Sequence, residues 1–317
     1  MNSLFFASFS IDSITPNVHT MHIAILTWWI STERAVALRS GDNMRDWCTI
    51  VGHTVDMYDF PTEIASFIEK HKTYDLVIPM FHGIYGEDGQ VTAFLATLGC
   101  RYAYSDFDVH ALCIDKYRTN EFVRDIGICI PETVFLRRDA DFELNYTSFP
   151  AIVKPNHGGS SLWTSKVTEH DELAEACMSI IDDDILIQEC IEWREFTVGA
   201  YRDTDWYKTL PIIEIKTLSQ DFFDYSEKYE TDGSNEVFMI WEDKLQKRLS
   251  TESLRICKYI GTRWVVRLDW RYDGEDIYFL EVNTIPWFTS GSLVPKMWKQ
   301  AGKSEKEFVE MISPQFQ

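Results

Sequence analysis

Arg267-Leu268-Asp269-Trp270 and Glu281-Val282-Asn283-Thr284 are two strand-like runs on either side of Asp273-Gly274. An Asp-Gly pair between alternating runs is a strong hairpin signal. Period-two alternation puts Arg267 and Asp269 on one face of the first strand, and Glu281 and Asn283 on one face of the second. A register that pairs Asp269 with Glu281 also pairs Arg267 with Asn283. Two carboxylates and a carboxamide then converge beside a guanidinium, a set suited to hard cations and phosphates. Charged rows on hairpins ordinarily face water. Against that stands an apolar second face of Leu268 and Trp270 on one strand, with Tyr278, Leu280 and Val282 on the other, which anchors the polar row.

The 317 residues are enough for two or three domains with a large core. Fifty acidic residues against 30 basic ones give a net charge of −20. That balance argues against binding a nucleic-acid backbone, which needs a positive field. It leaves room for a nucleotide where Lys and Arg gather locally and Mg²⁺ bridges the phosphates. The seven cysteines are scattered, odd in number and without a CxxC pair, as expected of free buried thiols in a reducing cytoplasm. No run of 18 apolar residues is present, so no membrane span is expected. Residues 1–20 lack a basic start and a long apolar core, and read as an N-terminal extension rather than a signal peptide.

From Met21 onward, strand and helix alternate. His22 to Thr27, Thr54 to Tyr58 and Asp75 to Pro79 read as strands. Glu63 to Lys70 is helix-compatible, and Val91, Phe94, Leu95 and Leu98 recur at helical spacing. Residues 21–104 therefore predict an α/β domain with a parallel sheet. A second unit, 105–188, holds a helix over Lys116 to Arg124 and a strand over Ala151 to Lys154. Another helix is marked by Leu173, Ala176, Cys177 and Ile180, with Thr168 and Asp171 as a cap. Strand character resumes at Ile185 to Gln188. The third unit, 189–317, has a strand at Phe196 to Val198, a helix through Leu245, Leu249, Leu254 and Cys257, the hairpin, and a last helix with Phe308 and Val309.

Two glycine-rich turns follow strands. Lys154-Pro155-Asn156-His157-Gly158-Gly159-Ser160-Ser161 lets backbone N–H groups face one point and adds hydroxyl donors, the composition of a phosphate cradle. It lacks the Gly-Lys-Ser/Thr ending of a P-loop. Lys154, flanked by Ile152 and Val153, needs a partner for its charge. His82-Gly83-Ile84-Tyr85-Gly86-Glu87-Asp88-Gly89 lies past the third strand, on the usual ligand side of a parallel sheet. His82 reads equally as a ligand contact or a structural histidine. No spaced His and Cys set supports zinc.

In order along the chain, these segments resemble the D-alanine–D-alanine ligases of the ATP-grasp superfamily. The resemblance runs through Ser31-Thr32-Glu33-Arg34, the His82 to Gly89 turn, Asp115-Lys116, Val153-Lys154-Pro155 with Gly159-Ser160-Ser161, and Arg194-Glu195-Phe196-Thr197-Val198. It continues through Phe223 to Tyr229, Arg267 to Asp269, Glu281 to Thr284 and Ser292 to Pro295. It implies a three-domain ATP-grasp fold with an N-terminal Rossmann-like parallel-sheet domain, α/β overall and α+β in parts. ATP would lie between the central and C-terminal domains. Lys116 and Lys154 would contact its phosphates and Glu195 its ribose. Asp269, Glu281 and Asn283 would hold two Mg²⁺ ions, and Arg267 would steady the phosphoryl group in flight. Glu33 would hold the first amino acid's ammonium and Ser292 the second one's carboxylate. His82 and Trp287 would border the substrates, while Ser160, Lys228 and Tyr229 would belong to a loop closing over the reaction. The implied activity phosphorylates one amino acid's carboxylate, and a second amino acid's amine then attacks it. The resemblance also implies a cytoplasmic enzyme of peptidoglycan biosynthesis and a homodimer, because the resembled enzymes form one.

The departures share a direction. Where the family pattern has glycine, this chain has Trp28, Trp29, Trp163, Trp193 and Trp287. The segment Ala103-Tyr104-Ser105-Asp106 stands where a glycine-containing turn is expected. Each ring occupies a place where the family backbone needs space or a positive φ, which predicts a remodelled pocket. Three outcomes fit: an active ligase, a ligase with changed amino-acid or other acceptor specificity, and a catalytically weak binding protein. The retained cluster of Lys116, Lys154, Asp269, Glu281, Asn283 and Arg267 favours nucleotide use.

Overall fold

The alternating runs of the first hundred residues build a parallel sheet. The computed structural model describes residues 20–28, 34–139, 144–159, 163–204, 206–216, 236–239 and 243–312. The N-terminal extension lies outside them, apart from Thr20. Strands β1 (His22–Trp28), β2 (Thr54–Phe60) and β3 (Leu76–Met80) pair in the order β2-β1-β3, all parallel. Ile23 to Leu26 are fully buried, as a strand covered on both faces requires. Helix α1 (Arg34–Ile50) covers one face through Met44, Trp47 and Cys48. Its approach depends on Gly41, where a Cβ would stand 2.6 Å from Thr27 Cγ2. Helices α2 (Ile64–Lys70) and α3 (Gln90–Thr97) cover the other face with Phe67, Val91 and Leu95.

Helices α4 (Phe107–Ile114) and α5 (Lys116–Arg124) lead to a four-stranded antiparallel sheet in the order β4-β7-β5-β6. Its strands are β4 (Thr133–Leu136), β5 (Ala151–Pro155), β6 (Ser165–Val167) and β7 (Ile185–Glu189). Helix α6 (His170–Ser179) packs on it through Leu173, Ala176 and Cys177. The expected Thr168–Asp171 cap is not the one formed. Glu169 is the N-cap residue, and the Glu172 carboxylate accepts from the Thr168 N–H at 2.7 Å. A glutamate reaches back one turn where the shorter aspartate does not.

The third sheet runs β11-β10-β8-β12-β13, with β9 also pairing β8. Its strands are β8 (Arg194–Asp203), β9 (Trp206–Thr209), β10 (Ile213–Ile215), β11 (Glu236–Phe238), β12 (Val265–Tyr272) and β13 (Ile277–Asn283). One face carries Phe196, Val198, Leu268, Trp270 and Phe279 against Leu249 and Ile256 of α7 (Asp243–Ile260). The hairpin register shifts between Asp269 and Trp270, so Trp270 faces Phe279. This bulge corrects the expected apolar face. Ile277 and Phe279 are buried, while Tyr278 and Leu280 are only half-buried.

Helix α8 (Leu293–Gln300) packs on β8, and α9 (Glu305–Met311) folds back onto α1. Trp47 meets Phe288 at 4.8 Å and Phe308 at 5.4 Å between ring centroids, and Trp298 meets Phe308 at 5.1 Å. Burying rings of this size contributes about 1.5–3 kcal/mol each, so this joint is a main anchor between the two ends of the fold. The seven cysteines are free, but not uniformly buried, since Cys129 is exposed. Among the described residues no helix is long and apolar enough to cross a membrane.

Candidate active site

The polar face of the third sheet carries the expected row. Asp269 pairs with Glu281 and Arg267 with Asn283 across β12 and β13. On the other side of β12, Asp269 pairs with Thr197 and Arg271 with Glu195 of β8. The Asp269 carboxylate accepts from Arg267 Nη2 at 2.8 Å, Arg267 Nε at 3.1 Å, Thr197 Oγ1 at 2.7 Å and Asn283 Nδ2 at 3.1 Å. Burial would pull the Arg267 guanidinium down, but Asp269, Glu281 and Glu87 raise it above its ordinary value. Arg267 is therefore a fixed cation at any working pH.

Two lysines face this row. Lys116, at the start of α5, lies 3.3 Å from Glu281 Oε2 and also donates to the carbonyls of Gly158 and Asn156. Lys154 on β5 is pushed down to about 8 by burial, with Glu281 and Glu195 supporting its charge and Lys116 and Arg271 opposing it. Glu281 on β13 and Glu195 on β8 thus supply the opposing charge that Lys154 requires.

The glycine-rich turn after β5 is tied down by a histidine. His157 Nδ1 lies 2.6 Å from Asp183 Oδ1, and its Nε2 lies 3.6 Å from Asp115 Oδ2. Asp115 is the N-cap of α5 and accepts from the Arg118 N–H at 2.9 Å. Asp115 and Asp183 raise His157 from 6.5 to about 9 against the opposing effect of burial. For Asp115 burial acts upward, yet His157, the Arg118 N–H and Asn156 bring it down to about 2. His157 binds its proton more tightly folded than unfolded, so its contribution is complete below about pH 6.5 and is lost as pH rises through about 9. His157→Gln is expected to cost about 2 kcal/mol at pH 7 and much less at pH 9.5. Urea unfolding at both pH values checks this, and an equal loss at both would contradict a cationic clamp.

His82 is buried, with Nδ1 at 2.9 Å from the Ile285 carbonyl and Nε2 at 3.3 Å from Ser40 Oγ. Burial lowers it to about 4. It is neutral and built into the wall between Ile285 and Ser40. Glu87 accepts from the N–H groups of Gly83 and Ile285 at 3.1 and 2.9 Å, fastening the first sheet's glycine turn to the end of the hairpin. Ser292, expected at the second substrate, is buried, and its Oγ engages Thr289 N and Oγ1 at 3.1 and 2.7 Å. Trp287 is half-buried, its ring 6.2 Å from that of His82. Glu33, Ser160, Lys228, Tyr229 and Trp29 lie outside the described residues. The sequence assigned no role to Thr197, His157, Asp183 or Arg271, and only the sheet registers and the long-range turn contacts reveal theirs.

The tryptophans divide. Trp28 ends β1. Trp163 and Trp193 hold φ values of +54° and +112°, and Tyr104 in the other departing segment holds +74°. The backbone has thus kept glycine-like conformations beneath large side chains. The rings of Trp163 and Trp193, expected at the closing loop and the nucleotide edge, are exposed by 55% and 73%. The Trp193 ring lies over the hairpin turn, where a Cβ on Gly274 would meet it at 2.2 Å. A non-glycine residue in such a conformation costs about 1–3 kcal/mol, and glycine's extra unfolded-state freedom costs about 0.5–1. Trp193→Gly is therefore expected to stabilise the protein by about 1 kcal/mol. A lower thermal midpoint in that variant would mean that the ring's contact with the turn outweighs the strain.

Among the described residues no group of three His, Cys, Asp or Glu is placed to hold a metal. The donor set is instead two carboxylates and a carboxamide, all oxygen-bearing and fixed by a strand register. That set suits Mg²⁺, which takes one or two protein carboxylates and completes its shell with phosphate oxygens and water. In the protein alone, Arg267 and Lys116 balance the two carboxylates.

The family described as "D-ala D-ala ligase C-terminus" matches residues 122–313. The D-alanine–D-alanine ligase of Aquifex aeolicus is 33% identical over 296 residues, covering 92% of this chain and 99% of the relative. The structure of D-alanine–D-alanine ligase from Bacillus anthracis complexed with ATP superposes with a TM-score of 0.80 at 27% identity, covering 92% of this chain and 96% of that one. The VanG D-Ala:D-Ser ligase from Enterococcus faecalis superposes with a TM-score of 0.75 at 26% identity, over 94% and 100% of the two chains.

Proposed function

This chain belongs to the D-alanine–D-alanine ligase family, and on that premise we propose that it joins two amino acids of the D-alanine type at the expense of ATP. Its fold is the ATP-grasp fold of that family, and its product is of the kind built into peptidoglycan. The observation that carries the reading is the Asp269–Glu281 and Arg267–Asn283 register, with Lys116 3.3 Å from Glu281.

In the proposed reaction the first amino acid's carboxylate oxygen attacks the γ-phosphorus of ATP, and ADP leaves. The acyl phosphate is then attacked by the second amino acid's amine, the amine loses a proton, and inorganic phosphate departs. A carboxylate is a poor electrophile until one oxygen becomes a leaving group, so the first step is the activating one. Lys116 and Lys154 hold the phosphate chain, and Glu195 takes the ribose. Arg267, held in place by Asp269, meets the charge that builds on the transferred group. Asp269, Glu281 and Asn283 would hold two Mg²⁺ ions, which when bound offset phosphate charge. Glu33 would hold the first ammonium and Ser292 the second carboxylate. Ser160, Lys228 and Tyr229 would exclude water, which otherwise hydrolyses the acyl phosphate. Trp287, beside His82, would set the acceptor pocket's size.

The test is phosphate release by purified protein with Mg²⁺ and ATP against a panel of D- and L-amino acids, with product mass as a second readout. Release is expected only when an amino acid is added, with D-alanine giving a dipeptide. ATP binding without turnover on any member would point to a pocket closed by its tryptophans. No binding and no turnover would leave an interaction protein.

A further inference from the structure

The row on β12 does not stop at Asp269. Two residues further on, Arg271 is the cross-strand neighbour of Glu195 on β8. Arg271 Nη2 lies 2.8 Å from Glu195 Oε2, with both side chains about one-fifth exposed, at 20% and 19%. The pair closes the end of the polar face away from Arg267 and stands within electrostatic reach of Lys154 on the opposing sheet. The face thus has a phosphate end, at Arg267 and Asp269, and a second end where a guanidinium grips a carboxylate.

Although β8 is paired on both sides, a glutamate side chain rising from its polar face has several rotamers, and ordering it when a ligand arrives costs binding free energy. An ion pair already formed in the protein removes that cost. It commits Oε2 to Arg271 and leaves Oε1 to accept from a ligand. A carboxylate oxygen suits hydroxyl donors and repels phosphate, so it fits the sugar of a nucleotide whose phosphates lie at the lysine end. Lysine in place of Arg271 would supply a point charge in place of the planar guanidinium whose Nη2 meets Oε2.

We propose that Arg271 is a positioning residue for nucleoside recognition: by fixing Glu195 it sets the preference for a ribonucleotide over a deoxyribonucleotide. This rests on the proposed ATP-dependent reading, with Glu195 at the ribose. The experiment compares steady-state kinetics with ATP, 2′-deoxy-ATP and 3′-deoxy-ATP for the parent protein, Arg271→Gln, Arg271→Lys, Glu195→Gln and the Arg271→Gln/Glu195→Gln double variant. Arg271→Gln is expected to raise KM for ATP about tenfold, with the loss concentrated in KM rather than kcat. Its discrimination between ATP and one of the deoxy analogues should shrink by a similar factor, and Arg271→Lys should recover part of it. The double variant should be no worse than Glu195→Gln alone, since both changes remove one device. Undiminished sugar discrimination in Arg271→Gln, or losses that multiply in the double variant, would overturn the proposal. Undiminished discrimination in Glu195→Gln is a different failure, because it removes Glu195 from the sugar and takes the underlying assignment with it.

Discussion

Glu281→Gln is expected to lower kcat by about 10²–10³-fold at saturating ATP while the protein remains folded. The substitution is nearly isosteric and keeps an oxygen that can accept from Lys116, which lies 3.3 Å from Glu281 in the native protein. What it removes is a formal negative charge opposite Asp269 on the paired strand. At the proposed site, binding of Mg²⁺ to two carboxylates and a carboxamide would depend on that charge, and the amide is a far poorer partner for a hard cation. Raising Mg²⁺ should recover part of the lost rate, because the defect lies in ion affinity. Far-ultraviolet circular dichroism and the thermal midpoint should stay close to the parent. Undiminished turnover at low Mg²⁺ would remove Glu281 from the ion site.

Arg267→Lys is expected to cost about 10³-fold in kcat with a much smaller change in ATP affinity. The variant keeps a cation but not the guanidinium that donates to Asp269 from Nη2 at 2.8 Å and from Nε at 3.1 Å. A lysine's point charge leaves Asp269 with a weaker hold and meets the transferring group at a different place. Nucleotide affinity should survive because Lys116 and Lys154, the residues proposed to hold the phosphates, are untouched. Single-turnover phosphate release separates chemistry from binding. A variant whose loss lies wholly in KM would show that Arg267 binds the ground state and does nothing special for the transition state.

The hairpin was legible because two independent signals agree in it. Asp273-Gly274 fixes the turn, and strict alternation from Arg267 to Asp269 fixes which residues share a face. The bulge after Asp269 was not legible, since nothing in the composition of β13 marks the extra residue; only the burial of Ile277 and Phe279 reveals it. The short strands β9, β10 and β11 escaped because three or four residues carry too little periodicity. Candidate ligands on the hairpin could be named from local pattern, whereas Arg271–Glu195 and His157–Asp183 needed partners far away in the chain. The tryptophans show the same boundary. Their positions are plain in the sequence, but whether a ring turns into a cleft or over a turn depends on neighbours such as Gly274.

The aromatic joint between α1 and the last two helices has a bearing on biosynthesis. Trp47 finds its ring partners at Phe288 and Phe308, so a nascent chain emerging from the ribosome exposes the outer, Trp47-bearing side of α1 until almost the entire polypeptide has been translated. Long-range closures of this kind are slow and leave sticky intermediates. Expression yield should therefore be governed by chaperone supply during those last seconds of elongation, and fragments ending before the final helices should be recovered as aggregates.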